Sequence, residues 1–140
     1  MIIDLGSKDK HFILGDTPYD FYKQSNNHKN SIESWVTEFF STGGHKSVVY
    51  SDISNYAKKL DDNGMRGICC VYYDDTIAIC VLFMSYHKND KGSKISKGNI
   101  NNLYSKAKSI GREIDMKSEK DLEEFVNSAK RDNERRVFTN

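Results

Sequence analysis

The chain has 140 residues, a formal net charge of +1, a hydrophobic fraction of 37% and a charged fraction of 29%. That length bounds it to one domain with a real core, and seven Phe, eight Tyr and one Trp argue against disorder. No segment approaches the about 18 consecutive apolar residues of a membrane span, and the opening MIIDLGSKDKHF is not a charged region followed by a long apolar run, so a cytoplasmic protein without membrane association is expected.

After a short extended opening at 11–14, the run GDTPYDFYKQS offers Asp16 or Thr17 as an N-cap. Pro18 follows at the first helical position, where its missing N–H costs nothing, so a helix is predicted over 18–25. In NSIESWVTEFFSTGG, Ser31 can cap, and Ile32, Trp35, Val36, Phe39 and Phe40 recur at helical spacing until Gly43 and Gly44, predicting a helix over 31–41. KSVVYSD reads as a short strand, and SDISNYAKKLDDNG as a capped helix ending in a turn at Asp61–Gly64.

The strongest local signal follows. RGICCVYYDDTIAICVLFMSY is two β-prone runs, 67–73 and 76–86, separated by Asp74 and Asp75, which predicts an antiparallel hairpin. Both runs are almost continuously apolar, so both faces should be covered and the hairpin should sit centrally in its sheet. Cys69, Cys70 and Cys80 all lie in these runs, at a spacing that fits neither a disulfide framework nor a zinc site, and are read as free, buried thiols.

Charge is concentrated just beyond the hairpin. Residues 85–112 hold seven Lys or Arg against one acid, Asp90, whereas 1–87 carry a net −3 and 113–140 a net −2. A near-neutral chain is thus polarised, and a local field of this kind selects anionic partners. Within the stretch, 88–96 reads as a loop and Ser96 as the cap of a helix from Lys97 to Arg112, with Ile100, Leu103, Tyr104, Ala107 and Ile110 on its apolar face. A last helix is predicted in SEKDLEEFVNSAKRDNERRVF from the capping pair Ser118 and Asp121, with a thin stripe of Leu122, Phe125 and Val126.

The chemistry on offer is limited. There is no glycine-rich phosphate loop, no G-x-S-x-G and no H-E-x-x-H; His11, His28, His45 and His87 are too scattered to suggest a metal site; and no cofactor is expected. The Asp61–Asp62 and Asp74–Asp75 pairs read as solvated turns, acid–base dyads only if tertiary structure sets something opposite them. Cleavage of RNA by its own 2′-hydroxyl needs no metal, only a base, a cation near the phosphorane charge and an acid for the leaving oxygen. Tyr86, His87 and Lys88 end the second hairpin strand, strand alternation would set Tyr86 and Lys88 on one face, and Arg66 enters the partner strand nearby.

Two N-terminal helices, an apolar hairpin, a strand ending in aromatic-x-Lys (Tyr86 and Lys88) and a Lys-rich loop opening KISKGNINNLYSKAK together resemble the RelE/HigB superfamily of bacterial toxins over roughly 18–112. The resemblance implies a small antiparallel sheet with helices on one side, and an endoribonuclease that cuts mRNA, usually on the ribosome, and is neutralised by an antitoxin. It also implies that Arg66 binds the scissile phosphate and that Lys94, Ile95 and Ser96 match the family's turn. The chain departs from the family in its neutral overall charge, in lacking a Glu-Leu-Arg strand motif, and in the segment after 115.

The expectation is therefore an α+β fold: a small, mainly antiparallel sheet centred on the 67–86 hairpin and packed by helices, with a single domain over 1–115 and a C-terminal helical extension over 116–140. The functional expectation is a metal-independent mRNA endoribonuclease with Arg66, Tyr86, His87 and Lys88 catalytic and Lys91, Lys94 and Lys97 contacting RNA or the ribosome. The alternative is a non-enzymatic phage or mobile-element protein that binds and inhibits a host protein or nucleic-acid complex.

Overall fold

The predicted hairpin is formed by β4 (Met65–Tyr73) and β5 (Ile77–His87) in the computed structural model, which describes residues 9–42, 49–52, 57–89 and 97–140. Its turn is fixed by Asp74, whose Oδ1 accepts hydrogen bonds from the backbone N–H groups of Thr76 at 2.8 Å and Ile77 at 2.9 Å. A short acidic side chain that bonds the backbone just ahead of it closes a turn without help from the rest of the fold.

Around the hairpin lies a six-stranded sheet in the order β2 (Val49–Asp52), β3 (Ala57–Asp62), β4, β5, β1 (Asp9–Leu14) and β6 (Val137–Thr139). β4 and β5 are central, as their unbroken apolar runs predict. Every neighbouring pair is antiparallel except β1 and β5, which run parallel from Asp9 opposite Ile77 to Leu14 opposite Leu82.

Both sheet faces are covered. On one, Phe12, Leu14, Cys69, Ala78, Cys80 and Leu82 pack against Tyr19 of α1 (Asp16–Gln24) and Ile32, Trp35, Val36 and Phe39 of α2 (Asn26–Thr42). On the other, Ile13, Cys70, Ile79 and Val81 meet Ala107 and Ile114 of α3 (Lys97–Asp115) and Leu122 and Val126 of α4 (Glu119–Asp132). Full burial of one such large apolar side chain contributes about 1.5–3 kcal/mol, and alternation along the strands lets one sheet supply two cores. The architecture is α+β, as expected, although helices on both faces differ from the one-sided arrangement that the family resemblance implies. All three cysteines are free and buried. Among the described residues no helix is long and apolar enough to cross a membrane.

Several local expectations are corrected. The helix read into SDISNYAKKLDDNG is instead strand β3 over Ala57–Asp62, while 53–56 lie outside the described residues. Ala57 and Leu60 are three apart, which mimics a helical stripe, yet they enter opposite cores. Asn63 (φ 50°) and Gly64 (φ 92°) then make the tight two-residue connection to β4 that Asn-Gly favours. α2 starts at Asn26 rather than Ser31, whose hydroxyl donates to Asp62 Oδ2 at 2.8 Å instead of capping. α1 starts at Asp16 behind Gly15, so Pro18 is its third residue. Ser118 does cap α4, accepting from the Asp121 N–H at 3.3 Å. Past α4, the chain turns through a short 3-10 segment, Glu134–Arg136, and adds β6 to β1, a strand the sequence reading did not foresee.

Candidate functional site

The four expected catalytic residues, Arg66, Tyr86, His87 and Lys88, lie at the end of the sheet where β4 begins and β5 finishes. A β-bulge decides how they meet. Ile68 lies opposite Met84 and Cys69 opposite Leu82, so Phe83 is an extra residue on β5. Beyond it Arg66 pairs with Tyr86; an unbroken register continued from Cys69 and Leu82 would have paired Arg66 with Ser85. The extra residue moves Tyr86 to the α3 side of the sheet, where it packs with the second core.

Arg66 is flanked on its other side by β3, where Asp61 is its register partner and accepts from Nη1 at 2.6 Å. Asp61 is therefore not merely a solvated turn residue, because tertiary structure does set a partner opposite it. Tyr86 and Tyr104 of α3 pack against the same core; burial first, then Tyr104, push the Tyr86 phenol up to about 12, and Arg66 partly opposes the rise. Lys59, two residues before Asp61 on β3, holds its ammonium 5.0 Å from the centre of the Tyr104 ring, a cation–π contact. Neither Lys59 nor Tyr104 was singled out as functional from the sequence, since each gains its role only through neighbours remote along the chain.

His87 and Lys88 close the same sheet end around the Asn63–Gly64 turn. The Lys88 N–H donates to the Gly64 carbonyl at 2.8 Å. A Cβ added at Gly64 would lie 3.4 Å from Lys88 Cε and 3.5 Å from His87 Nε2, so both side chains lie over this glycine. His87 Nδ1 accepts from the Asn89 N–H at 3.1 Å, which puts the proton of a neutral ring on Nε2 and makes that nitrogen a donor. β5 ends at His87 and Lys88 belongs to the turn that follows, so strand alternation does not set the direction of Lys88 relative to Tyr86. Lys91 and Lys94 lie outside the described residues, as do Ile95 and Ser96; Lys97 opens α3, and the description of its position ends with the backbone.

A second polar cluster lies at this end on the α2 face. His28 Nδ1 is 2.7 Å from Oγ of the fully buried Ser85, and the His28 ring stands 4.5 Å from that of Phe21. Its members are 57 residues apart in the chain, and no local pattern signals the pair.

The other end of the hairpin is chemically different. A cleft of about 240 Å³ there is lined by Asp9, His11, Thr76, Glu119, Glu123 and Lys130, among others. His11 Nδ1 is 3.0 Å from Thr139 Oγ1 of β6, and burial, then Lys130, lower its pKa against the opposing pull of Asp9. Among the described residues no group of three or more His, Cys, Asp or Glu is placed to hold a metal ion. No family model, curated protein or solved structure matches the chain.

Proposed function

We propose that the protein is a toxin-like endoribonuclease that cleaves mRNA without needing a metal ion. The observation that carries this reading is the direct pairing of Arg66 with Tyr86 at a sheet end that His87 and Lys88 also close. These groups supply what 2′-hydroxyl attack demands. Arg66 and Lys88 stabilise the charge that develops on the phosphorane oxygens. Tyr86 is held protonated at neutral pH and donates a hydrogen bond to phosphate.

We infer the proton balance from the side chains at this sheet end, with Asp61 opposite Arg66 and His87 opposite Met65. Asp61 is the carboxylate at the site and takes the proton of the 2′-hydroxyl as its oxygen bonds to phosphorus. The bond to the 5′-oxygen breaks as the imidazolium form of His87 gives its Nε2 proton to the leaving oxygen and becomes the neutral ring whose Nδ1 accepts from the Asn89 N–H. The products are a 2′,3′-cyclic phosphate and a 5′-hydroxyl end, with water restoring the proton states. The likeness to the RelE/HigB superfamily read from the sequence brings in an antitoxin partner and the ribosome as the setting of the cut.

The test is induction of the wild type and of Lys88→Ala in a bacterial host, with growth and mRNA integrity followed together. Growth arrest with cut mRNA, relieved by the substitution, is the expected result. Intact mRNA in cells expressing folded wild-type protein would instead support a binding protein that blocks a host factor.

A further inference from the structure

A tyrosine on a strand end has one hydroxyl and a ring that rotates about two bonds, so its value in a site depends on what fixes it. Tyr86 has neighbours from three elements. Arg66 stands beside it on β4, its guanidinium oriented by Asp61 of β3, and Tyr104 reaches it from α3. Tyr104 is itself held from the opposite edge of the cluster by the Lys59 ammonium, 5.0 Å from its ring centre. The helix thereby bridges β3 and β5 across β4, and the two phenols and two cations form one connected group.

We propose that Tyr104 is a positioning residue of this site: anchored by Lys59, it holds the Tyr86 hydroxyl beside the Arg66 guanidinium so that both donate to one non-bridging oxygen of an RNA phosphodiester. The inference rests on the endoribonuclease reading and deepens it. Tyr104 touches no reacting atom, and its effect passes through Tyr86. A misplaced donor at a reacting phosphate slows the chemical step more than it weakens binding, because the developing charge is what the donor meets.

The experiment is a double-mutant cycle on the full chain with a single-stranded RNA oligonucleotide as substrate: wild type, Tyr86→Phe, Tyr104→Phe and the double variant. Phenylalanine keeps each ring in its core, and thermal melting checks that it does. Tyr104→Phe is expected to lower kcat about tenfold with KM nearly unchanged, and to have no further effect once Tyr86 is phenylalanine. Lys59→Ala should reproduce part of the loss, and Lys59→Arg, which keeps the cation over the ring, should restore it. Effects of Tyr86→Phe and Tyr104→Phe that multiply in an active enzyme would overturn the proposal while leaving the nuclease reading intact. A wild type that is folded but cleaves none of the RNA would overturn the nuclease reading, and this role for Tyr104 with it.

Discussion

The two ends of the central hairpin are built from the same apolar strands and finish in opposite chemistry. At the β4-start end, Arg66, Lys88 and Lys59 stand with two phenols and a histidine against Asp61 and Asp62, so cations slightly outnumber acids there. At the tip, Asp74 and Asp75 stand in the turn, and the neighbouring cleft carries Asp9, Glu119 and Glu123 against Lys130 alone among Lys and Arg. A net charge of +1 thus conceals a molecule polarised along its strands. A field that varies over the surface steers an anionic strand to one end and away from the other, so the comparison teaches more about partners than total charge does.

Four changes would break or sharpen that contrast. The largest effect is expected at the basic end, where Arg66→Ala should lower RNA cleavage by about a hundredfold or more, whereas Glu123→Ala at the tip should leave it unchanged in the same assay. Next in size are effects on stability. Gly64→Ala places a Cβ on a residue at φ 92° and should cost more than about 1 kcal/mol by denaturant unfolding. Asp74→Ala removes the acceptor that closes the tip and should cost about 1 kcal/mol while sparing cleavage.

The smallest effects are pH-linked. Burial raises the Asp74 carboxyl, but bonds donated by Thr76, Tyr72 and Ile77 outweigh it and hold it below its ordinary 3.8. The stability it lends is therefore present above that value and is lost as pH falls through the folded value. Tyr86 is raised, so its contribution is complete below the ordinary phenol value of 10.0 and is lost as pH rises toward about 12. Unfolding followed across both ranges should show Asp74→Asn flattening the acid limb and part of the alkaline one, since its bond from Tyr72 helps push that phenol up to about 12, and Tyr86→Phe flattening the alkaline limb alone. A lowered His11 predicts a third dependence: pairing of Asn140, just past β6, with Lys10 of β1 should weaken as pH falls below 6.5, seen as faster amide exchange at Asn140.

Much of this protein is legible in one dimension. The hairpin is, because two long apolar β-prone runs around Asp74–Asp75 satisfy pattern and turn chemistry together. The Ser118 cap of α4 and the apolar stripes of α3 and α4 are legible for the same reason: each spans only a few helical turns, and Ile100, Leu103, Tyr104, Ala107 and Ile110 all pack as their spacing predicts. β3 failed because Ala57 and Leu60 fit a helical spacing and a strand equally well in so short a run, and pairing with β4 settled the matter. β6 failed because three residues carry no period at all, and only the open edge of β1 makes them a strand.

For the site, the sequence by itself determined which chemistry is present: Arg66 near one strand start, Tyr86, His87 and Lys88 at the other strand's end, and a charge excess following them. Tertiary structure alone decided the geometry. The bulge at Phe83 chose the face and the partner of Tyr86, a one-residue choice that alternation cannot foresee because it depends on how two strands pack between two layers of helices. Asp61, Lys59 and Tyr104 joined the site through pairing and packing across the sheet, since forces that act over a few ångströms take no account of separation along the chain.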